Sequence, residues 1–276
     1  MIIKPLQLGR LTLPSNLIQG PLAGYSCAPF RQLIWQLSEV GYCTTEMLSA
    51  HNIVHRSQQP LRYRYRDPSE KRLCVQLAGH CPDILGRASS IVSGWGAEII
   101  DLNCGCPQPK IRKRKMGSRL LADTEKLYQC VLAMRAATDA VLTVKIRIDG
   151  DSGDVHNQQV AEAIAAAGAD ALIVHGRHWT ERYDVPARWD EIGRFASWVS
   201  IPVIANGDVD SIDSLRQVIT RTDCAGVMIS RASLGRPWLF AHLMAQGDDF
   251  AIPGEELQAQ WLLEHVHGLI GLDGEQ

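Results

Sequence analysis

The sequence predicts an α/β protein whose chain folds into a closed (β/α)₈ barrel. Short apolar runs rich in β-branched residues alternate with amphipathic helical patterns over nearly the whole length. The runs are apolar almost throughout, which is typical of parallel strands covered by helices. About eight such units fit one barrel of roughly 250 residues. The alternative is a doubly wound open sheet, but the G-x-G-x-x-G pattern expected after its first strand is missing here.

The predicted elements follow one another in regular order. The strands span residues 17–23, 41–47, 73–79, 98–106, 142–148, 171–177, 202–208 and 226–231. Apolar residues recur at three- and four-residue spacing, as in one-sided helices, within residues 124–138, 157–169 and 212–222. Residues 1–246 therefore form the predicted barrel domain. Residues 247–276 contain a connector and one amphipathic helix at 257–272, which is too small for an independent domain.

The composition is that of an ordinary globular protein, with 46% hydrophobic residues and a net charge of −2. No apolar run reaches the roughly 18 residues that span a bilayer, and the first ten residues lack the apolar core of a signal peptide. We therefore expect a cytoplasmic protein with no membrane partner. The eight cysteines form no paired C-x-x-C units, so we expect reduced thiols and no metal site.

Polar residues follow strand after strand at the positions where the predicted strands end. Active sites of such barrels lie at this C-terminal face. Helix caps and loop polarity account for two or three such residues, but not for a complete ring. The ring consists of Glu46, Gln76, Asn103, Cys106, Lys145, Arg147, His175, Arg177, Asn206, Asp208, Ser230 and Arg231.

The last two strand ends predict a phosphate site. Asn206, Gly207 and Asp208 follow the seventh strand, and Ser230 and Arg231 follow the eighth, where barrels commonly bind phosphate. Glycine permits close backbone approach, and arginine offers a forked donor. N-G-D alone is often only a turn, so its position carries the argument.

Two basic side chains of the ring have a functional interpretation. Lys145 lies inside an apolar strand, where its charge is costly to bury, which favours a functional role in stabilising negative charge. His175 is an acid, a phosphate donor or a satisfied core histidine; its position at a strand end favours function.

Cys106 is the candidate catalytic acid. It lies in the segment 99–121, which reads IIDLNCGCPQPKIRKRKMGSRLL. Cys104 and Cys106 together supply only two metal ligands, and their spacing is not that of a redox pair. A thiol ordinarily has a pKa of about 8.5, so it carries a proton at neutral pH that a general acid can donate.

A basic run directly follows Cys106. It consists of Lys110, Arg112, Lys113, Arg114, Lys115 and Arg119, and a second cluster alternates Arg62, Arg64 and Arg66 with tyrosines. An isolated run of this kind is a solvated surface. Beside an active site, however, it suits binding to the phosphates of RNA.

The motifs in combination resemble the bacterial tRNA-dihydrouridine synthases. The resemblance runs in order from about Pro21 to Phe240 and rests on P-L-A-G, D-L-N-C-G-C-P, V-K-I-R, V-H-G-R, P-V-I-A-N-G-D and G-R-P-W-L-F. It implies a barrel that carries FMN, which NADPH reduces and which in turn reduces the C5=C6 bond of a uridine in tRNA.

The resemblance also implies residue roles. Cys106 would protonate C5 of the base, and Asn103 would orient the uracil. FMN would be held by Pro21, Leu22, Ala23, Gln76, Lys145, His175, Asn206, Gly207, Asp208, Ser230 and Arg231. The basic run from Lys110 to Arg119 would contact tRNA.

The sequence departs from the family at four places. Ser230 stands where the family usually has glycine, Ser26 and Cys27 replace T-D, and Arg119 replaces a small residue. The family usually continues into a helical C-terminal domain that helps to hold tRNA, so we expect residues 247–276 to be a remnant of it. Two other functions remain open: another FMN barrel of the dihydroorotate or dihydropyrimidine dehydrogenase kind, acting on a free pyrimidine or an enoate, and a non-catalytic RNA-binding barrel.

Overall fold

The computed structural model describes residues 2–56, 60–149, 153–245 and 250–274. The strands are β1 (Leu6–Leu8), β2 (Leu11–Leu13), β3 (Leu17–Gln19), β4 (Cys43–Thr44), β5 (Leu48–Ser49), β6 (Leu73–Ala78), β7 (Ile99–Cys104), β8 (Val141–Arg147), β9 (Ala171–His175), β10 (Val203–Asn206) and β11 (Gly226–Ile229). The helices are α1 (Ala28–Leu37), α2 (Ala50–His55), α3 (Leu61–Arg64), α4 (Pro82–Gly94), α5 (Pro109–Arg112), α6 (Thr124–Ala136), α7 (Gly153–Ala166), α8 (Trp189–Trp198), α9 (Ile212–Thr222), α10 (Leu239–Met244) and α11 (Glu255–Asp273). Two 3₁₀ turns span Gly117–Ala122 and Arg231–Ser233.

Eight parallel strands close into a barrel, as the sequence predicts. Their order around the barrel is β3, β4, β6, β7, β8, β9, β10 and β11, and the pairing of β11 with β3 completes the ring. Every residue of β6, β7, β8, β9, β10 and β11 is buried, because one face fills the barrel and the other packs against helices. The predicted fold class is confirmed.

The second predicted strand, residues 41–47, is interrupted. Only Cys43 and Thr44 pair with β6 at first, and β5 resumes the pairing at Leu48. In the gap, the hydroxyl of Thr45 accepts a hydrogen bond from the backbone N–H of Gln76 at 3.2 Å. A side chain thus replaces a backbone carbonyl in the ladder, so the strand bends here and Glu46 leaves the sheet line.

A hairpin seals the N-terminal end of the barrel. Strands β1 and β2 pair antiparallel, and their leucines join a buried cluster that contains Ile18, Tyr42 and Ile99 from the barrel interior. The far end of the barrel carries the polar strand ends. The interior is therefore apolar at one end and polar at the other.

Helix ends follow their capping residues. Helix α9 begins after Ser211, whose hydroxyl and that of Ser214 form a reciprocal capping box. It ends at Asp223, which has a left-handed φ of 50°. Helix α11 packs against α1, where Gly268 lies on Pro29. The predicted boundary between residues 246 and 247 lies outside the described residues, so the domain division stays a prediction.

Candidate active site

A cleft of about 880 Å³ opens at the C-terminal ends of the barrel strands. It is lined by every residue to which the sequence assigns catalysis or cofactor binding, namely Pro21, Leu22, Ala23, Gln76, Asn103, Cys106, Lys145, His175, Asn206, Gly207, Asp208, Ser230 and Arg231. Ligand sites commonly measure about 300–1,000 Å³. Of the polar ring predicted from the strand ends, all residues except Glu46 and Arg177 line this one cleft.

Cys106 lies on what we call the thiol side of the cleft, formed by Gln76, Asn103, Cys106 and Lys145. The buried Asp101, which bonds Gln76, belongs to the same side but does not line the cleft. The thiol residue is half-buried in the loop after β7. Its backbone carbonyl accepts hydrogen bonds from the backbone N–H and the hydroxyl of Ser118, both at 3.1 Å. Gly117, at φ 61°, lies so close that a Cβ there would be 2.7 Å from this carbonyl. The 3₁₀ turn at Gly117 therefore fixes the back of the thiol loop.

A chain of hydrogen bonds fixes the front of this loop. The amide oxygen of Asn103 accepts from the backbone N–H of Cys106 at 3.0 Å, and its NH₂ group donates to Gln76 at 2.8 Å. Gln76 in turn donates to the carboxylate of Asp101 at 2.7 Å. The strand register accounts for this arrangement, because Gln76 pairs with Asp101 across β6 and β7. The polar groups of Asn103 thus also hold the thiol loop.

Lys145 crosses the floor of the cleft. Its ammonium group donates to the amide oxygen of Asn206 at 2.8 Å, and Asn206 donates to the backbone carbonyl of Met228. Burial lowers the pKa of Lys145, and the nearby charge of Arg147 lowers it further, whereas Asp101 and Cys106 oppose the shift. Lys145 pairs with Asn103 across β7 and β8, and Lys145 and Cys106 line the same cleft.

The opposite, phosphate side consists of His175, Arg177, Asp208 and Arg231. The buried guanidinium of Arg177 donates to both carboxylate oxygens of Asp208, at 2.7 and 2.6 Å, and lies 3.2 Å from Nε2 of His175. Arg231 is exposed and lies 3.4 Å from Asp208. Two arginines share this one carboxylate, and Arg231 is the one of the two that lines the cleft.

His175 is neutral in this surrounding. Burial holds its pKa well below the ordinary value, and the charges of Lys145, Arg147, Arg177 and Arg231 act in the same direction. A neutral imidazole keeps one N–H donor and one acceptor nitrogen. Since Arg177 can only donate, the nitrogen facing it is the acceptor and the other carries the hydrogen.

Asp208 has a different position from the one expected for a phosphate contact. Its carboxylate accepts from Arg177 and from the backbone N–H of Ala187 at 2.7 Å. A carboxylate also repels phosphate, so the side chain orients Arg177 and Arg231 instead. Gly207 has a φ of 124°, and a Cβ there would lie 2.8 Å from Ala187. The glycine is thus required for the close passage of the loop after β9.

The departures from the family motifs have local structural explanations. The hydroxyl of Ser230 faces Gly20, and a Cβ at Gly20 would collide with it. Ser26 is completely buried and bonds the backbone N–H of Leu22 at 2.9 Å, which fixes the turn that carries Pro21, Leu22 and Ala23. Cys27 is buried at the start of α1. Only Arg119 among the four is exposed.

The basic run begins at Lys110, two residues after Gln108, which lines the cleft, and we call this run the wall of the thiol side. Lys110, Lys113, Arg114, Lys115 and Arg119 are exposed on α5 and the turns that follow it. Arg112 differs, because its guanidinium lies 3.2 Å from the ring centroid of Trp179 and donates to Ser118. Arg112 thus joins the loop after β7 to the loop after β9.

The second basic cluster has structural partners. Arg66 donates to the carbonyl of Gly96 and pairs with Glu98 at 2.7 Å, and Arg62 pairs with Glu46 at 3.0 Å. These two arginines therefore tie the loop around α3 to the barrel. Arg64 is exposed.

Two aromatic residues of the site were missed by the sequence reasoning. Trp179 and Tyr183 lie on the loop after β9 and line the cleft. Arg231 stacks on the Tyr183 ring, 3.6 Å from its centroid. The sequence contained a signal for them, because two aromatic residues lie in a polar loop shortly after His175 and Arg177. Aromatic side chains are otherwise usually buried, so their presence in such a loop suggests a site. Arg147, predicted only as a polar strand end, is buried beside them.

Within residues 2–56, 60–149, 153–245 and 250–274, no cluster of three or more His, Cys, Asp or Glu side chains is arranged to bind a metal ion. The helices of the same ranges include none that is long and apolar enough to cross a bilayer.

Comparison with known proteins gives a consistent result. Residues 18–270 match the family model described as dihydrouridine synthase. The tRNA-dihydrouridine synthase B of Pseudomonas aeruginosa is 36% identical over 274 residues, which cover 98% of this chain and 82% of that protein. The probable tRNA-dihydrouridine synthase 1 of Synechocystis is 36% identical over 95% of this chain and 73% of its own length.

Solved structures share the fold at low sequence identity. A morphinone reductase structure superimposes with a TM-score of 0.67 at 12% identity, over 92% of this chain and 93% of that one. The histamine dehydrogenase of Rhizobium has the same TM-score and identity, and this chain spans about half of it, 47%. These structures support the barrel architecture.

Proposed function

Because this chain belongs to the dihydrouridine synthase family, we propose that it is a tRNA-dihydrouridine synthase, an FMN-dependent oxidoreductase that reduces the C5=C6 bond of uridines in tRNA. One observation supports this most strongly. A single cleft contains the Cys106 thiol, the Lys145 ammonium group and a cationic far end, in that order across the barrel.

The donor set of the cleft fits FMN. Arg231, which lines the cleft and is exposed, offers positive charge to a phosphate group, and neutral His175 offers an N–H. Lys145 lies at the middle of the floor, where it suits the polar edge of a flavin ring. Pro21, Leu22 and Ala23 provide an apolar edge for the same ring. When bound and reduced, FMN supplies a hydride to C6 of the uracil.

Cys106 supplies the proton to C5. The thiol is half-buried, and both the carbonyl and the N–H of its backbone are hydrogen-bonded, so its position is fixed before the substrate arrives. Proton transfer leaves a negative charge on sulfur. That charge lies close to Lys145 and Arg147, which stabilise it electrostatically.

The target base must leave its stack to reach a thiol inside this cleft. The exposed members of the basic run, Lys110, Lys113, Arg114, Lys115 and Arg119, lie on the wall beside Cys106. We assign to them the contacts with tRNA phosphates, which hold the RNA without reading its sequence. Arg112 supports this wall through its stacking on Trp179.

NADPH as the reductant, the absence of a metal requirement and a cytoplasmic site of action belong to the same proposal. The reductant must reach the flavin, so it would enter the same cleft as tRNA. A basic cleft wall suits both polyanions, which would then exclude each other.

Product analysis tests the proposed function. Unmodified tRNA is incubated with the protein, FMN and NADPH, then digested to nucleosides and analysed by mass spectrometry. We expect a uridine derivative that is two hydrogen atoms heavier, formed from tRNA and not from free uracil. Reduction of free uracil alone would identify a free-pyrimidine reductase, and RNA binding without any reduced product would identify a non-catalytic barrel.

A further inference from the structure

Asp101 is a buried polar residue to which the proposed reaction assigns no role. It lies in β7, well inside the barrel, and is 1% exposed. Its carboxylate accepts hydrogen bonds from the hydroxyl of Thr143 at 2.6 Å and from the NH₂ group of Gln76 at 2.7 Å. Burying a carboxylate costs free energy unless hydrogen bonds satisfy it. The groups that are hydrogen-bonded to Asp101 therefore indicate its role.

Those bonds continue to the catalytic thiol residue. The amide oxygen of Gln76 accepts from Asn103 at 2.8 Å, and the amide oxygen of Asn103 accepts from the backbone N–H of Cys106 at 3.0 Å. Gln76 is 1% exposed and Asn103 is 8% exposed. Little water can therefore reach these two side chains to replace a lost hydrogen bond.

The two ends of this chain fix the direction of every bond between them. The Asp101 oxygen that faces Gln76 is an acceptor, and the backbone N–H of Cys106 is a donor. Each amide between them has a donor on one side and an acceptor on the other. An acceptor at position 101 therefore keeps the NH₂ group of Gln76 inward and the amide oxygen of Asn103 towards Cys106.

Without that acceptor, no hydrogen bond at position 101 holds the two amides in this orientation. Gln76 could then turn its NH₂ group towards Asn103, and Asn103 would turn in response and present its own NH₂ group to the N–H of Cys106. Two donors facing each other leave a buried N–H unsatisfied, which costs about 1–3 kcal/mol. The loop would relieve this by moving Cys106.

We propose that Asp101 is a positioning residue for Cys106, acting through the oriented amides of Gln76 and Asn103. The inference rests on the proposed function for one point only, namely that Cys106 is the catalytic acid. What the chain requires at position 101 is an acceptor oxygen, not a negative charge. An asparagine there can keep its oxygen towards Gln76, because the hydroxyl of Thr143 can turn and accept from the new NH₂ group.

The test compares Asp101→Asn with Asp101→Leu, which has a similar size but no acceptor. Thr143→Val is the matched control, because it removes a partner of Asp101 without breaking the chain to Cys106. Two quantities are measured: the rate of flavin reoxidation at saturating tRNA, and the rate at which iodoacetamide alkylates Cys106, read by peptide mass spectrometry. Cys81, the other partly exposed cysteine among the described residues, is the internal reference.

For Asp101→Leu we expect a loss of about 100-fold in the reoxidation rate, the scale of a misplaced reacting group. The alkylation rate of Cys106 should change by more than about threefold, while that of Cys81 stays constant. Asp101→Asn and Thr143→Val should keep the alkylation rate of Cys106 within about threefold of that of the parent protein. If Asp101→Leu does not fold, as judged by circular dichroism, Asp101→Ala removes the same acceptor without adding bulk.

Two outcomes would overturn the proposal. An Asp101→Asn protein whose Cys106 alkylation rate changes as much as that of Asp101→Leu would show that the charge matters and not the acceptor. An unchanged Cys106 alkylation rate in Asp101→Leu would show that Asp101 does not act on the thiol loop. If the parent protein ignores tRNA altogether, the proposed function fails, but the alkylation measurement still decides the role of Asp101.

Discussion

The thiol side of the cleft is organised by hydrogen bonds between amides, whereas the phosphate side is organised by ion pairs. On the thiol side, Asn103 and Gln76 fix the loop of Cys106 through bonds whose direction matters. On the phosphate side, Arg177 and Asp208 hold each other through charge at 2.6 Å. A proton donor needs a defined position, and an anion site needs a surplus of positive charge, so the two sides meet different demands.

The largest expected effect lies on the thiol side. For Cys106→Ala we predict a loss of about 10²–10⁴-fold in tRNA-dependent flavin reoxidation, the usual contribution of a general acid. Reduction of the flavin by NADPH should be nearly normal, because it needs no proton from this thiol. Cys81→Ala is the matched control and should behave like the parent protein. Stopped-flow absorbance measures both half-reactions separately, and equal losses in the two would contradict an acid role.

The next largest effect is expected when the ion pair on the phosphate side is broken. Arg177→Met leaves Asp208 without its main partner, and Asp208 is only about one-third exposed, 31%. We predict a loss of about 2–3 kcal/mol in the free energy of unfolding, below the range for fully buried pairs because water reaches the carboxylate. FMN should also bind more weakly.

Urea denaturation and a flavin titration measure these two effects. Arg194→Ala breaks the exposed pair with Asp154 and serves as the control; it should change neither quantity. A normal flavin affinity in Arg177→Met would show that this ion pair does not contribute to cofactor binding.

A smaller effect concerns the wall of the thiol side. Replacement of Lys113, Arg114 and Lys115 by glutamine should weaken tRNA binding and reduce its dependence on salt. Each lost contact lowers the slope of log K against log salt by about 0.7 for single-stranded RNA. Lys4 and Arg10, exposed at the opposite end of the barrel, are replaced in the control protein. An unchanged slope in the triple variant would mean that tRNA binds elsewhere.

The smallest effect is the pH dependence contributed by His175. Its folded-state pKa lies well below the ordinary value because of burial and four neighbouring cations. Below a pH of about 6.5 the unfolded chain binds a proton that the folded protein does not bind. Stability therefore falls as the pH falls through this range, by at most about 1.4 kcal/mol per pH unit.

His175→Gln removes this contribution while keeping an acceptor for Arg177. Urea denaturation at several pH values should show a flatter acid limb for this variant than for the parent protein. If the free energy of unfolding depends on pH in the same way in both proteins, His175 is not kept neutral.

The barrel and the members of the site could be predicted because they follow from local patterns. Apolar runs such as residues 142–148 become strands wherever helices cover them, and strand ends converge on one face. The break in the second strand could not be predicted in this way. It depends on the hydroxyl of Thr45 replacing a carbonyl opposite Gln76, a contact between distant segments that leaves no periodic signal.

The finer roles within the site were also beyond sequence reasoning. Asp208 resembles a phosphate ligand by position, but its carboxylate is bound by Arg177. Arg112 belongs to a basic run, yet its charge lies on the ring of Trp179. In each case the partner comes from another loop, and only the closed barrel brings the loops together.

The most direct test of the central claim is an anaerobic absorbance record of the protein loaded with FMN and reduced by NADPH. Unmodified tRNA is then added to one sample and free uracil to another. We predict that the oxidised flavin band returns with tRNA and not with uracil, and that Cys106→Ala abolishes the return. A flavin that stays reduced with tRNA, or that is reoxidised equally well by uracil, would contradict the account.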